Sequence, residues 1–366
     1  MSTTQATNVN ANLRSLVLAG VSPWLDLLHR SLITGGDLER LISEDSLRGM
    51  TSNPSIFEKA ILESDDYQDE LAECRGEGMD PQAVYERIAI HDVQLAADVL
   101  RPTWEAAGHQ DGFVSLEIAA DLAHDEQRSI AAARDFWQRV NRPNVMIKIP
   151  GTPEGLGAIE QGIYEGININ ITLLFAVEAY ERVIDAYMTG LERRLTEGKS
   201  ADVASVASFF VSRVDTAADK RLEASGNEEL YGRAAIANAR LAYRRFEEHF
   251  SGPRWEALHR AGAHYQRPLW ASTGVKTERY PDTMYVDELV GPHTVNTMPL
   301  NTLRAFGDHG HLSGPTAKRD PQEDLDALAK AGVNMTEITD ELLAAGVQQF
   351  EDAMSRLLAG IEQRVK

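Results

Sequence analysis

Lys148 is a lone ammonium in an otherwise apolar run, Val145-Met146-Ile147-Lys148-Ile149-Pro150. Other runs have the same form. Asp26 stands in Trp24-Leu25-Asp26-Leu27, and Glu117 in Val114-Ser115-Leu116-Glu117-Ile118. Asn170 and Thr172 stand in Ile167-Asn168-Ile169-Asn170-Ile171-Thr172. Side chains alternate across a strand, so in each run the polar residues face away from the apolar set. An amine in apolar surroundings can attack a carbonyl when it is neutral. Carboxylates beside it can move the protons such a reaction needs. An amide and a hydroxyl can hold a polyol or a water.

Each residue also has a plainer reading. Lys148 can snorkel to a rim or close a salt bridge. Asp26 can cap a loop, Glu117 can simply pair with Lys148, and Asn170 and Thr172 can satisfy backbone groups. One cation and two anions inside a single core are costly unless paired or useful. A buried structural triad meets that condition as a catalytic set does, and the strand pattern leaves both open. A second group of residues suits an anion. Ser208 and Phe210 share one face of the run Val203–Val211, and Arg213 follows it. Ala271-Ser272-Thr273-Gly274-Val275-Lys276 adds hydroxyls, a glycine turn and an ammonium. Arginine can grip a phosphate through two N–H groups and lysine acts as a point charge. The rival reading of Arg213 is a surface ion pair with Asp215 or Glu181.

The elements that must position these residues alternate along the chain. Eight runs read as strands: Trp24–Leu28, Leu47–Ser52, Phe113–Ile118, Val145–Ile149, Ile167–Thr172, Val203–Val211, Pro268–Ser272 and Thr294–Met298. Helical patterns lie between them. Val177, Tyr180, Ile184, Met188, Leu191 and Leu195 recur at the spacing of one buried helix face. Val84, Ile88, Val93, Ala96, Val99 and Leu100 suggest a second helix, and Glu228–Phe250 a third. Strands alternating with helices imply parallel βαβ units. Eight of them imply an α/β fold, a (β/α)8 TIM barrel with additional helices. Such barrels place their chemistry at the C-terminal ends of the strands. The expectation is one barrel domain over 1–366, with a polar or helical N-terminal extension over 1–20 and a helical C-terminal extension over 320–366. Within that tail, Glu323 to Arg364 reads as helix, with Gly332 and Gly346 as breaks. Gly190 reads as a bend in its helix.

The bulk composition narrows the partners. The chain of 366 residues carries a formal charge of −20. A broad nucleic-acid or anionic-membrane surface needs a basic patch, and the sequence offers none. A phosphorylated substrate would have to be held by a few local Lys or Arg residues against that overall charge. Cys74 is the sole cysteine, so no internal disulfide or cysteine-rich zinc site is expected. No apolar run reaches the roughly 18 residues of a membrane span. These features predict a cytoplasmic protein without a metal, and they leave a monomer and a homodimer both open.

Three blocks, in the same order along the chain, resemble the transaldolase family. They are Thr51-Ser52-Asn53-Pro54-Ser55, Ile147-Lys148-Ile149-Pro150 and Asn170-Ile171-Thr172-Leu173-Leu174-Phe175. Ser208-Phe209-Phe210-Val211-Ser212-Arg213 continues the likeness, which runs from about Trp24 to Met298. The resemblance implies the barrel, no cofactor, sugar-phosphate substrates and transfer of a dihydroxyacetone unit through a lysine Schiff base in the pentose phosphate pathway. It implies that Lys148 forms the Schiff base and that Asp26 and Glu117 are the acid–base carboxylates. Thr172 would stand near the catalytic water, with Asn53 and Asn170 on the transferred fragment. Ser208, Arg213 and the aromatic Phe210 would form the phosphate site. Lys276 stands where many members have Arg, Ser52 where Thr is usual, and Gly151-Thr152-Pro153 where Ala-Thr-Trp is usual. The length resembles the longer branch of the family. The nearest rival is an aldolase of the same family, which releases dihydroxyacetone; that branch tends to carry Gln at the position of Glu117 and Tyr at that of Phe210. A class I fructose-bisphosphate aldolase fits less well, because the lysine lies on the fourth strand rather than the sixth. A non-catalytic phosphate-binding barrel would explain Arg213 but gives Asp26, Glu117 and Lys148 no joint task.

Overall fold

The structure, a computed structural model, describes residues 9–366. Residues 1–8 of the expected N-terminal extension lie outside the described residues. Eight parallel strands close into a barrel in sequence order. They are β1 (Val21–Asp26), β2 (Gly49–Thr51), β3 (Phe113–Glu117), β4 (Val145–Pro150), β5 (Ile169–Leu174), β6 (Ser205–Phe210), β7 (Arg267–Ala271) and β8 (Thr294–Met298). Pairing of Val21 with Thr294 through Leu25 with Met298 closes the ring. The (β/α)8 expectation therefore holds.

Six of the strands are buried along their whole length, as a strand covered by helices outside and side chains inside must be. At the N-terminal end the barrel is plugged by a polar network. Trp24 Nε1 donates to Asp111 Oδ1 (2.9 Å), Arg267 donates to Ser22 Oγ (2.7 Å), and Ser22 donates to the other oxygen of Asp111. The Trp24 ring needs Gly49 beside it. A Cβ there would meet the ring at 2.4 Å, closer than real contacts allow.

Several boundaries differ from the expectation. β5 begins at Ile169, two residues later than the apolar pattern suggests, and runs on to Leu174. Asn168 thus precedes the strand, where its amide donates to Pro143 O (2.8 Å) and Val145 O (3.1 Å). The run Glu228–Phe250 is not one helix. A short turn, Glu228–Leu230, is cut off by Gly232 at φ +72° before the helix Ala234–His249. Gly190 marks no bend in Val177–Thr196. A Cβ there would lie 2.8 Å from Glu160 O and 2.9 Å from Ile163 Cβ, so glycine permits close packing on the helix Gly155–Glu165.

The tail forms two helices, Gln322–Lys330 and Met335–Val365. Gly332, at φ +83°, separates them as expected. Gly346 does not break the second. It lies where that helix presses on Leu173, whose Cδ2 would be 2.9 Å from an added Cβ. Asn334 starts this C-terminal helix by accepting from Glu337 N (3.3 Å). Arg356 then pins it to Glu58 through two hydrogen bonds (2.6 and 3.0 Å), on the helix Pro54–Glu63 that follows β2.

Candidate active site

Register builds the centre of the site. Glu117 is paired with Lys148 across β3 and β4, and Lys148 with Asn170 across β4 and β5. Laterally paired residues project to the same face, so the three side chains form one inward row. Lys148 Nζ donates to Glu117 Oε2 and to Ser52 O, both at 3.0 Å. Asn170 Nδ2 donates to Ser115 Oγ (2.9 Å), and Ser208 Oγ donates to Asn170 Oδ1 (2.7 Å). Its orientation is therefore fixed from both sides.

Asp26, at the end of β1, accepts from Thr51 Oγ1 (2.7 Å), which also meets Thr297 Oγ1 (2.7 Å). Asn53 caps the helix Pro54–Glu63, its side-chain oxygen accepting from Ile56 N (3.0 Å). With the oxygen so used, the amide N–H₂ is the end left for a ligand. Thr172 lies on β5 just before a bulge. Ile171 pairs with Ala207 and Leu174 with Phe209, so β5 spends one extra residue there, and Leu173 takes φ +59°. A non-glycine residue in that region costs about 1 kcal/mol or more. The compensating contact is the burial of Leu173 against Gly346.

A cavity of about 310 Å³ opens at the C-terminal end of the barrel. Asp26, Asn53, Lys148, Thr172, Ser208, Phe210, Arg213 and Lys276 line it. Glu117 and Asn170 stand behind that lining, bonded to Lys148 and Ser208. All the residues singled out in the sequence are thus in one place. Besides Lys148, three cations, Lys59, Arg213 and Lys276, belong to the lining, in a chain whose net charge is −20. Arg213 makes neither ion pair that the sequence allowed. Asp215 accepts from Ala235 N (2.7 Å) and Tyr285 Oη (2.8 Å), while Glu181 pairs with Arg245 and His249.

The electrostatics follow from burial. Desolvation pushes the Asp26 carboxyl above its ordinary value, opposed by the Thr51 hydrogen bond and by Lys148, Lys276 and Arg213. Desolvation also raises Glu117, against the pull of Lys148. Both are therefore stronger bases than exposed carboxylates. Glu117 Oε1 and Thr172 Oγ1 are buried without a hydrogen-bond partner among the described residues. Leaving such groups unsatisfied costs about 1–3 kcal/mol each, so both call for a ligand atom or a reaction water.

The sequence reading missed the contributions of Thr51, Thr297, Lys59, Gln349 and Phe350. Lys59 had a local signal. Ser55, Ile56 and Lys59 line the cavity together, and three- and four-residue spacing puts them on one helix face. Phe350 lines the cavity too, and Gln349 accepts from Arg213 NH1 (2.8 Å). No local pattern places a residue so far along the chain beside β6. Among the described residues, no group of His, Cys, Asp and Glu is arranged to hold a metal ion. No described helix is long and apolar enough to cross a membrane.

Comparison with known proteins gives a family match over residues 23–361, to the model described as transaldolase/fructose-6-phosphate aldolase. A protein named transaldolase from Frankia alni is 47% identical over 360 residues, covering 96% of this chain and 97% of that one. One of the same name from Acidothermus cellulolyticus is 48% identical over 360 residues, covering 97% of each. A protein named transaldolase 2 from Streptomyces coelicolor is 47% identical over 361 residues, again covering 97% of each.

Proposed function

Since the chain belongs to the transaldolase/fructose-6-phosphate aldolase family, we propose that Lys148 is the nucleophile through which it moves a three-carbon dihydroxyacetone unit. The reaction is transaldolase transfer in the pentose phosphate pathway. Sedoheptulose 7-phosphate donates the unit to glyceraldehyde 3-phosphate, giving erythrose 4-phosphate and fructose 6-phosphate through a lysine Schiff base. One observation carries the residue assignment: the Lys148 amine lies buried in the floor of a cation-rimmed cavity, 3.0 Å from a buried carboxylate of raised basicity.

Glu117 takes a proton from Lys148, and the neutral amine attacks the C2 carbonyl of the ketose. Loss of water from the carbinolamine needs a proton donor. Protonated Glu117 supplies it, through a water between its Oε1 and Thr172 Oγ1. The iminium draws electrons from the C3–C4 bond. Asp26 removes the proton of the C4 hydroxyl, the bond breaks, and the aldose phosphate leaves. Asn53 and Asn170 hold the hydroxyls of the three-carbon enamine until an acceptor aldehyde arrives. Reversal then forms the new ketose. Arg213 and Lys276 hold the phosphate of donor and acceptor alike, with Lys59 on the same mouth, so that the donor's C2 carbonyl is presented to Lys148 and the acceptor's aldehyde carbon to C3 of the enamine. Ser208 serves this arrangement by orienting Asn170. Glu117 and Phe210 favour transfer over release of free dihydroxyacetone. The compartment we assign is the cytoplasm.

The test is covalent trapping. Fructose 6-phosphate and borohydride are expected to leave a reduced adduct on Lys148, located by mass spectrometry and absent from Lys148→Ala. An adduct on another lysine would sink the assignment. With erythrose 4-phosphate as acceptor, sedoheptulose 7-phosphate should accumulate. Free dihydroxyacetone in its place would favour the aldolase reading.

A further inference from the structure

Among the described residues Arg213 is the one guanidinium in the cavity lining, and in the proposed reaction it holds the substrate phosphate. Most arginines of this molecule are tied to carboxylates, as Arg142 is to Asp98, Arg254 to Glu192 and Arg356 to Glu58. Arg213 is not. Among the described residues its side-chain hydrogen bond goes to the neutral amide of Gln349, NH1 to Oε1 at 2.8 Å. Its Cζ lies 5.3 Å from the centroid of the Phe210 ring, which is itself 5.1 Å from the Phe175 ring. The guanidinium is therefore held on two sides, by a ring face and by an amide oxygen.

The chemistry of the anchor matters. A carboxylate would fix the arginine as well, but it would neutralise the charge and occupy two N–H donors in a bidentate pair. An amide oxygen accepts one N–H and brings no charge, so the remaining donors and the full positive charge stay available. The C-terminal helix that carries Gln349 is not short of acids, with Glu337, Glu341, Glu351 and Asp352 on it. The same helix also passes near the arginine one turn earlier: an added Cβ at Gly346 would be 3.9 Å from Arg213 NH1.

We propose that Gln349 is a positioning residue for substrate phosphate, an uncharged anchor that aims Arg213 at the cavity without competing for its charge. This rests on the reading that Arg213 holds the phosphate. It makes the C-terminal helix part of the substrate site.

The experiment compares Gln349→Glu and Gln349→Ala with Arg213→Ala and with Gln348→Glu, the same charge change on the exposed neighbour. KM and kcat are measured with fructose 6-phosphate, together with competitive inhibition by inorganic phosphate. Gln349 is exposed, so its variants should fold, which thermal melts check. Gln349→Glu is expected to raise KM about tenfold and the phosphate inhibition constant in parallel, while kcat changes less than about threefold. Gln349→Ala should raise KM by about threefold, and Gln348→Glu by less than about twofold. Equal effects of Gln349→Glu and Gln348→Glu, or a fall in kcat with unchanged KM, would overturn the positioning role. If Arg213→Ala leaves KM and phosphate inhibition unchanged, the phosphate reading itself fails. A KM rise confined to Arg213→Ala leaves that reading standing and rejects Gln349 alone.

Discussion

Glu117 is a buried carboxyl and Asp26 a half-buried one, both near one ammonium, and their hydrogen bonds divide the work between them. Glu117 is bonded to Lys148 itself, whereas Asp26 is bonded to Thr51 and lines the open cavity. Glu117→Gln is therefore expected to slow formation of the trapped adduct and to lower kcat by about 10²–10³, within the range of positioned acid–base groups. Asp26→Asn should still give the adduct but lose C–C cleavage, seen as trapping without transfer; failure to trap would assign Asp26 to the wrong step. Asp26 must be ionised to act as a base, and its pKa is raised by burial. The rate should thus fall with decreasing pH at a value above the ordinary carboxylate range. Lys276 holds that pKa down, so Lys276→Met is expected to move the acid limb of kcat/KM to higher pH. Movement to lower pH would contradict the assignment.

At the scale of elements, two close approaches set the geometry. The helices Gly155–Glu165 and Val177–Thr196 touch at Gly190, where an alanine Cβ would press on a carbonyl oxygen and on Ile163 Cβ. Alanine gains about 1 kcal/mol in helix propensity, and overpacking costs about 1–3 kcal/mol. Because backbone is among the obstructing atoms, the second effect should win. Gly190→Ala is expected to lower the urea midpoint, by a net loss of up to about 2 kcal/mol; a midpoint at or above that of the parent would show that the helices can separate freely. The second approach is at Gly346, where the C-terminal helix meets the β5 bulge beside Thr172. Strand alternation alone assigns Thr172 and Leu173 to opposite faces. The bulge instead lets both serve the mouth, Thr172 on the cavity and Leu173 under the helix.

For the whole molecule, buried acids couple stability to pH. Asp215 is pushed up to about 7 by burial, despite hydrogen bonds from Ala235 N and Tyr285. Between the ordinary carboxylate value of about 4 and that raised value, the folded chain holds a proton that the unfolded chain has released. Stability contributed there is present at low pH and lost as pH rises through the window. Asp215→Asn stays neutral throughout and should flatten the fall. Urea midpoints from pH 5 to pH 8 check this, and a variant curve parallel to that of the parent would mean that Asp215 does not titrate in the window.

The strands, the barrel and the inward set of Asp26, Glu117, Lys148, Asn170 and Thr172 were legible in the sequence. They depend on local alternation of polar and apolar residues, which a two-residue period writes directly into the chain. Arg213 and Lys276 were legible as cations at strand ends, and Asn53 only through the likeness to a family. Other features were decided by the tertiary structure. Gln349 and Phe350 reach the site because a helix far along the chain folds back over the barrel mouth, and Lys59 because its helix turns one face to the cavity. Whether Arg213 pairs with an acid or with an amide is settled by that same return. Gly190 and Gly346 read as a bend and a break until their partners across the packing are seen. Local pattern records which face of an element is buried; what that face meets is a non-local fact, fixed only when the barrel closes and the last helix packs on it.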